Sequence, residues 1–186
     1  MRKDVHEGLW SDSEYSLENY QTEMPDDNTI RGIEKELGYK FPASYLAFMR
    51  CHNGGLVKRD CCPYVDSSTG KAGEVFISGF IGIGGDKPNT LMGTFGSRFW
   101  IEEWEYPDIG IAICDCPSAG HDMIFLDYRV CGPEGEPCVV HVDQELDYEI
   151  TRIADSFDEF VDKLTVQKED EINTNSIVFH SKPSML

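Results

Sequence analysis

Between residues 109 and 153 the chain repeats one pattern, short apolar and β-branched runs separated by glycine and proline. Ile109-Gly110-Ile111-Ala112-Ile113-Cys114, Met123-Ile124-Phe125-Leu126-Asp127-Tyr128 and Cys138-Val139-Val140-His141-Val142 each read as a strand. Tyr148-Glu149-Ile150-Thr151-Arg152-Ile153 adds one short strand. Pro117, Gly120, Gly132, Pro133 and Gly135 fill the connections, which suits hairpins between antiparallel neighbours. Helical periodicity lies on either side. Ile30, Ile33 and Leu37 recur at helical spacing after the cap residues Asp26-Asp27-Asn28, and Gly38 supplies the left-handed stop. Phe157, Phe160, Val161 and Leu164 form one stripe behind a capping box, Ser156-Phe157-Asp158-Glu159. Helices, then strands, then a helix is segregated α+β, not alternating α/β.

Residues 1–26 are polar with scattered rings (Trp10, Tyr15, Tyr20) and read as an arm that docks those rings on the domain. Leu17 and Tyr20 are placed to form one face of a short helix within it. Gly32 weakens the 28–37 helix, which hints at close packing on that side. A second helix opens at Phe41-Pro42, proline suiting the first turn, with Tyr45, Phe48 and Met49 on one face and His52-Asn53-Gly54-Gly55 as its end. Residues 56–73 read as a loop and Glu74 to Ile81 as one strand. Trp100-Ile101-Glu102-Glu103-Trp104-Glu105-Tyr106-Pro107 reads as a strand end. The expected organisation is an arm (1–26), one domain (27–164) and a polar tail (165–186).

Charge excludes more than fold does. The 34 acidic and 16 basic residues give a net −18. A field of that sign repels phosphate backbones and anionic lipid, which argues against direct nucleic-acid or membrane-surface binding and favours a basic partner. No apolar run is long enough to span a bilayer. Met1 to Glu7 lead into no apolar stretch, so no secretory leader is expected. Seven cysteines, an odd number, then read as reduced thiols in a cytoplasm.

Several stretches carry possible chemistry. Gly79, Gly82, Gly84 and Gly85 precede Asp86-Lys87, but neither the phosphate-loop nor the dinucleotide template is completed, so a structural turn is expected. Cys114-Asp115-Cys116-Pro117-Ser118-Ala119-Gly120-His121-Asp122 gathers thiols, a hydroxyl, an imidazole and carboxylates. Cys114, Cys116 and His121, with Cys61 or Cys131 as a fourth, make one candidate metal set, although the spacing matches no standard knuckle. As a nucleophile site the stretch lacks an elbow. The plainer reading is a tight turn between core strands, Asp115 capping it and Gly120 at positive φ. Glu102, Glu103, Glu105 and Asp108 lie among Trp100, Trp104 and Tyr106. The acids form either a solvated face over aromatic core or a docking patch, since tryptophan and tyrosine are enriched in hot spots and acids steer a cationic partner. No spacing among them singles out a glycosidase acid and nucleophile. His52, His121 and His141 are isolated and read as structural.

The sequence resembles a known family. Ile30-x2-Ile33-Glu34-x2-Leu37-Gly38-x2-Phe41-Pro42-x2-Tyr45-x2-Phe48, then Asn53-Gly54-Gly55, resembles the N-terminal signature of the SUKH superfamily of Smi/Knr-type proteins. Pro107-Asp108-Ile109-Gly110 with Ile111-Ala112 is similar to its central strand, and Asp115 with Gly120, Asp122 and Leu126-Asp127 to the next hairpin. Ile153-Ala154-x-Ser156-Phe157-x2-Phe160 is similar to its closing helix. The resemblance covers about residues 28 to 164, and Cys114 to Tyr128 looks like a bacterial subgroup.

That resemblance implies a twisted, mainly antiparallel sheet flanked by helices, with no shared metal, cofactor or catalytic residue. It also implies an immunity protein that neutralises a cognate polymorphic toxin, often a nuclease, by binding it, or, as in fungal members, a regulatory scaffold in cell-wall or signalling control. Joined with the charge, the expected contacts to a basic toxin domain are Trp100, Glu102, Glu103, Trp104, Glu105 and Asp108, then Asp86, Asp115 and Asp122.

Overall fold

The computed structural model describes residues 5–66 and 69–167. Its strands are β1 (Trp10–Ser11), β2 (Gly55–Val57), β3 (Cys61–Val65), β4 (Ala72–Phe76), β5 (Gly79–Phe80), β6 (Gly110–Asp115), β7 (Asp122–Asp127), β8 (Cys138–Asp143) and β9 (Glu149–Ala154). Seven make one sheet in the order β1-β2-β5-β6-β7-β8-β9, every neighbour antiparallel, while β3 and β4 pair as a separate hairpin. The helices are α1 (Glu14–Asn19), α2 (Asp27–Leu37), α3 (Ala43–Met49), α4 (Ser97–Glu102) and α5 (Phe157–Lys163). The architecture is the expected α+β. Among the described residues no helix is long and apolar enough to cross a membrane.

Local chemistry explains the helices at both ends. The Asp26 side chain accepts from Thr29 N (2.7 Å) to start α2, and Gly38 stops it at φ 82°. Ile30, Ile33 and Leu37 are buried as their spacing predicts. Buried Glu34 reaches past the helix end, accepting from Lys40 Nζ (2.7 Å) and Phe41 N (3.0 Å), and so joins α2 to α3. Pro42 stands one place before α3, as its N-cap. In α5, Ser156 Oγ accepts from Glu159 N (3.3 Å). Glu159 reaches back one residue further than a standard box, to Asp155 N (2.7 Å).

The structure corrects four expectations. Gly32 is not at a close approach: a Cβ there would meet nothing within 4 Å. The supposed loop 56–73 contains most of β2 and all of β3. Pro63 hid β3, yet in a two-stranded hairpin its missing N–H has little to lose. The run 74–81 is two strands, because the chain leaves the hairpin at Ile77 and Ser78 to enter the main sheet. The stretch from Trp100 is helical: α4 is a short turn of helix pinned by Ser97, whose Oγ accepts from Ala112 N of β6 (3.0 Å).

The N-terminal arm completes the sheet. Trp10 and Ser11 pair with Val57 and Leu56 as the edge strand. Trp10 and Tyr20 are buried, whereas Tyr15 and Leu17 remain exposed. Asn53, fully buried, ties the arm to the strand region. Its Nδ2 donates to Glu23 O (2.6 Å) and Ile83 O (3.0 Å), and its Oδ1 accepts from Ile83 N (2.8 Å). Gly82 is the close neighbour in this joint: a Cβ on it would lie 2.9 Å from Tyr20 O.

Two aromatic clusters fill the core. Phe48 of α3, Phe80 of β5 and Phe157 of α5 meet with ring centroids 4.9–6.2 Å apart, and Trp10, Tyr45 and Phe160 extend the group. The second cluster joins Trp100, Trp104 and Tyr106 to Phe125 and Tyr148. Each buried ring contributes about 1.5–3 kcal/mol by removal from water.

Candidate functional site

The acidic and aromatic stretch forms a corner built on α4. Trp100 is 8% exposed and donates from Nε1 to Phe95 O (3.0 Å), so it packs inward and supports the corner. Trp104 is half-buried, edge-on to Trp100 at 5.3 Å and to His121 at 6.0 Å. Its carbonyl accepts from the Tyr148 hydroxyl (2.7 Å). Glu102, Glu103 and Glu105 are exposed beside it. Glu105 sits at φ 59°, a left-handed conformation uncommon outside glycine, and the chain turns there so that Tyr106 is buried. Tyr106 then donates to Gly120 O (2.7 Å), which fastens the corner to the β6–β7 connection. A Cβ at Gly120, where φ is 98°, would lie 2.6 Å from the Trp100 ring.

The other expected contacts have neighbours of their own. Asp108 is exposed and adjoins Tyr39 and Arg98, near the end of α2. Arg98 itself stands 3.6 Å from Glu102. Asp86 is exposed and accepts from Thr22 Oγ1 of the arm (2.5 Å). Asp115 does not cap the turn, because it accepts from the Tyr20 hydroxyl (2.8 Å). Burial pushes the Asp115 carboxyl up to about 6, against the downward pull of that hydrogen bond. Asp122 is partly buried against His141.

The cysteine cluster is regrouped. All seven cysteines are free. Cys114 is fully buried in the core, and His121 is exposed, 3.7 Å from Glu145, so these two do not join Cys116. Among the described residues, Cys116, Asp122 and His141 come together instead, with Sγ, a carboxylate oxygen and a ring nitrogen all within 4.8 Å of one another. His141 Nε2 lies 2.7 Å from Asp122 Oδ2. Burial raises the Asp122 carboxyl, but hydrogen bonds from His141 and Ser118 outweigh it and the net shift is downward. Burial drives the Cys116 thiol well up, opposite to what a nucleophile needs.

The signal for this grouping was strand register. His141 opposes Ile124, and Asp122 lies two residues before Ile124, so the two side chains are diagonal neighbours on one face. His141 stands alone in sequence, and the β7–β8 hairpin brings it to the end of the Cys114–Asp122 stretch.

A groove of about 670 Å³ runs between the β3–β4 hairpin, β9 and α5. Along it Lys163 pairs with Glu159 (2.6 Å) and Arg152 with Asp155 (3.0 Å).

Residues 27–161 match the family described as SMI1-KNR4 cell-wall (SUKH_6). The chain belongs to this family. The match begins at α2, so β1 and α1 lie outside the matched region although β1 completes its sheet. No match was found among curated proteins.

Proposed function

We propose that this SUKH-family chain acts by binding rather than by turnover, as a cytoplasmic immunity protein whose acidic corner occludes a basic toxin domain. One observation carries the reading: Glu102, Glu103 and Glu105 stand exposed around a half-buried Trp104 whose position is fixed from beneath. A held aromatic loses little entropy on docking, and desolvated aromatics dominate interface energies. The acids around it steer a cationic surface, and the net −18 of the chain extends that field. A nuclease active site, basic because it must hold phosphate, is the partner chemistry that fits. Asp108 and Asp86 extend the acidic surface away from the corner, Asp115 and Asp122 serve internal contacts, and Trp100 serves as the support of Trp104.

The test is a combined Glu102→Lys, Glu103→Lys, Glu105→Lys variant, assayed against the C-terminal domain encoded by the neighbouring reading frame. The variant is expected to lose capture of that domain and protection of the cell while melting near the parent temperature. The exposed Arg98–Glu102 pair contributes under about 1 kcal/mol. Full protection by the variant refutes the corner.

A second reading is favoured by the words cell-wall in the family description, namely a regulatory scaffold in envelope or signalling control. Gene neighbourhood separates the two. An adjacent large secreted protein with a variable C-terminal domain favours immunity.

A further inference from the structure

We propose that Cys116, Asp122 and His141 form a site for one zinc-class divalent cation, with a fourth coordination position left open. The donor set is the first argument. Thiolate, imidazole and carboxylate together suit zinc and its neighbours in the transition series, whereas magnesium and calcium require oxygen throughout. Distance is the second. A tetrahedral zinc with bonds of 2.0–2.3 Å needs donors roughly 3.3–3.8 Å apart. The three donors lie within 4.8 Å of one another, so binding asks the 2.7 Å His141–Asp122 contact to open and any wider pair to close by about an ångström. Charge is the third. Thiolate and carboxylate supply two negative charges, which a divalent ion cancels in a largely buried place. Asp122 Oδ2 faces His141, and the same carboxylate interacts with the Cys116 thiol, so the three donors already converge.

The frame is rigid and reachable. Asp122 and His141 sit on adjacent central strands in fixed register, and Cys116 follows the end of β6 directly. Asp122 N donates to Ser118 Oγ (3.0 Å), which holds the turn between Cys116 and Asp122. The Asp122 and His141 side chains keep 21% and 13% exposure, which leaves an entry path to a cysteine that is itself covered. Binding replaces the thiol proton of Cys116 by the metal and releases that proton to solvent. The site stands independently of the docking corner and makes no demand on a partner.

The experiment uses the full chain, purified without a tag and stripped with chelator. Cobalt(II) titration is expected to give a thiolate-to-cobalt charge-transfer band saturating at one equivalent, displaced by zinc, with a rise in melting temperature on zinc addition. Cys116→Ser should abolish the band. Asp122→Asn, which can keep the hydrogen bond to His141, should fold and weaken cobalt binding about tenfold or more. His141→Gln should do the same, and Cys51→Ser, at an exposed thiol, should leave the titration unchanged. Absence of the band in the parent overturns the site, as does a band that survives in Cys116→Ser. A parent affinity unchanged by Asp122→Asn and His141→Gln also overturns it, leaving the trio as a hydrogen-bonded strand pair beside a buried thiol.

Discussion

Asn53 has no charge and, in sequence, only marks the end of a helix, yet its side chain joins the arm at Glu23 to the chain at Ile83. Asn53→Ala leaves the buried Ile83 N–H and C=O, and the Glu23 carbonyl, without these partners. Each orphaned group costs about 1–3 kcal/mol, so the variant should lose at least about 2 kcal/mol in urea unfolding. Retention of parent stability would show that the joint is not needed. Glu34 follows the same logic, since a carboxylate on an apolar helix face is explained only by Phe41 N and Lys40 beyond the helix end. Such residues are half-legible. Asn53-Gly54-Gly55 reads correctly as a stop, but the groups it serves lie thirty residues away on either side. His141 was obscured in the same way, because its partner Asp122 belongs to another strand.

At the scale of elements, legibility followed periodicity. The helices around Ile30–Leu37 and Phe157–Leu164, and the strands β6 to β9, were visible because cap chemistry and apolar spacing agree with the fold. The element α4 was not, because Trp100, Ile101 and Trp104 favour strands and no side chain caps its start. Tertiary anchors at Ser97 and Trp100 decide it instead. The strand β3 was hidden by Pro63, and the 74–81 run was split by its crossing between sheets. In α2 the reverse error arose, since Gly32 suggested packing where there is open space. Gly32→Ala should therefore stabilise the protein by about 0.5–1 kcal/mol, read as a higher denaturant midpoint with unchanged slope. A destabilised variant would mean that something does occupy that face.

For the whole molecule, the acidic excess and the aromatic corner make one electrostatic claim: docking depends on charge from Glu102, Glu103 and Glu105 beside Trp104. Charge was legible from composition. The sequence stretch from Trp100 to Asp108 also named the corner, although Trp100 turned out to be its support and Asp108 stands toward α2. Fold placement of Asp86, Asp115 and Asp122 was not legible, because each is claimed by a contact distant in sequence. The most direct test is the salt dependence of affinity for the proposed basic partner, the C-terminal domain encoded by the neighbouring reading frame, measured by calorimetry for the parent and the triple lysine variant. Screening between about 0.05 and 0.5 M salt weakens exposed charge pairs. The parent should lose affinity steeply over that range, and the variant should bind weakly with a nearly flat response. Equal affinity and equal slope for the two chains would contradict the account.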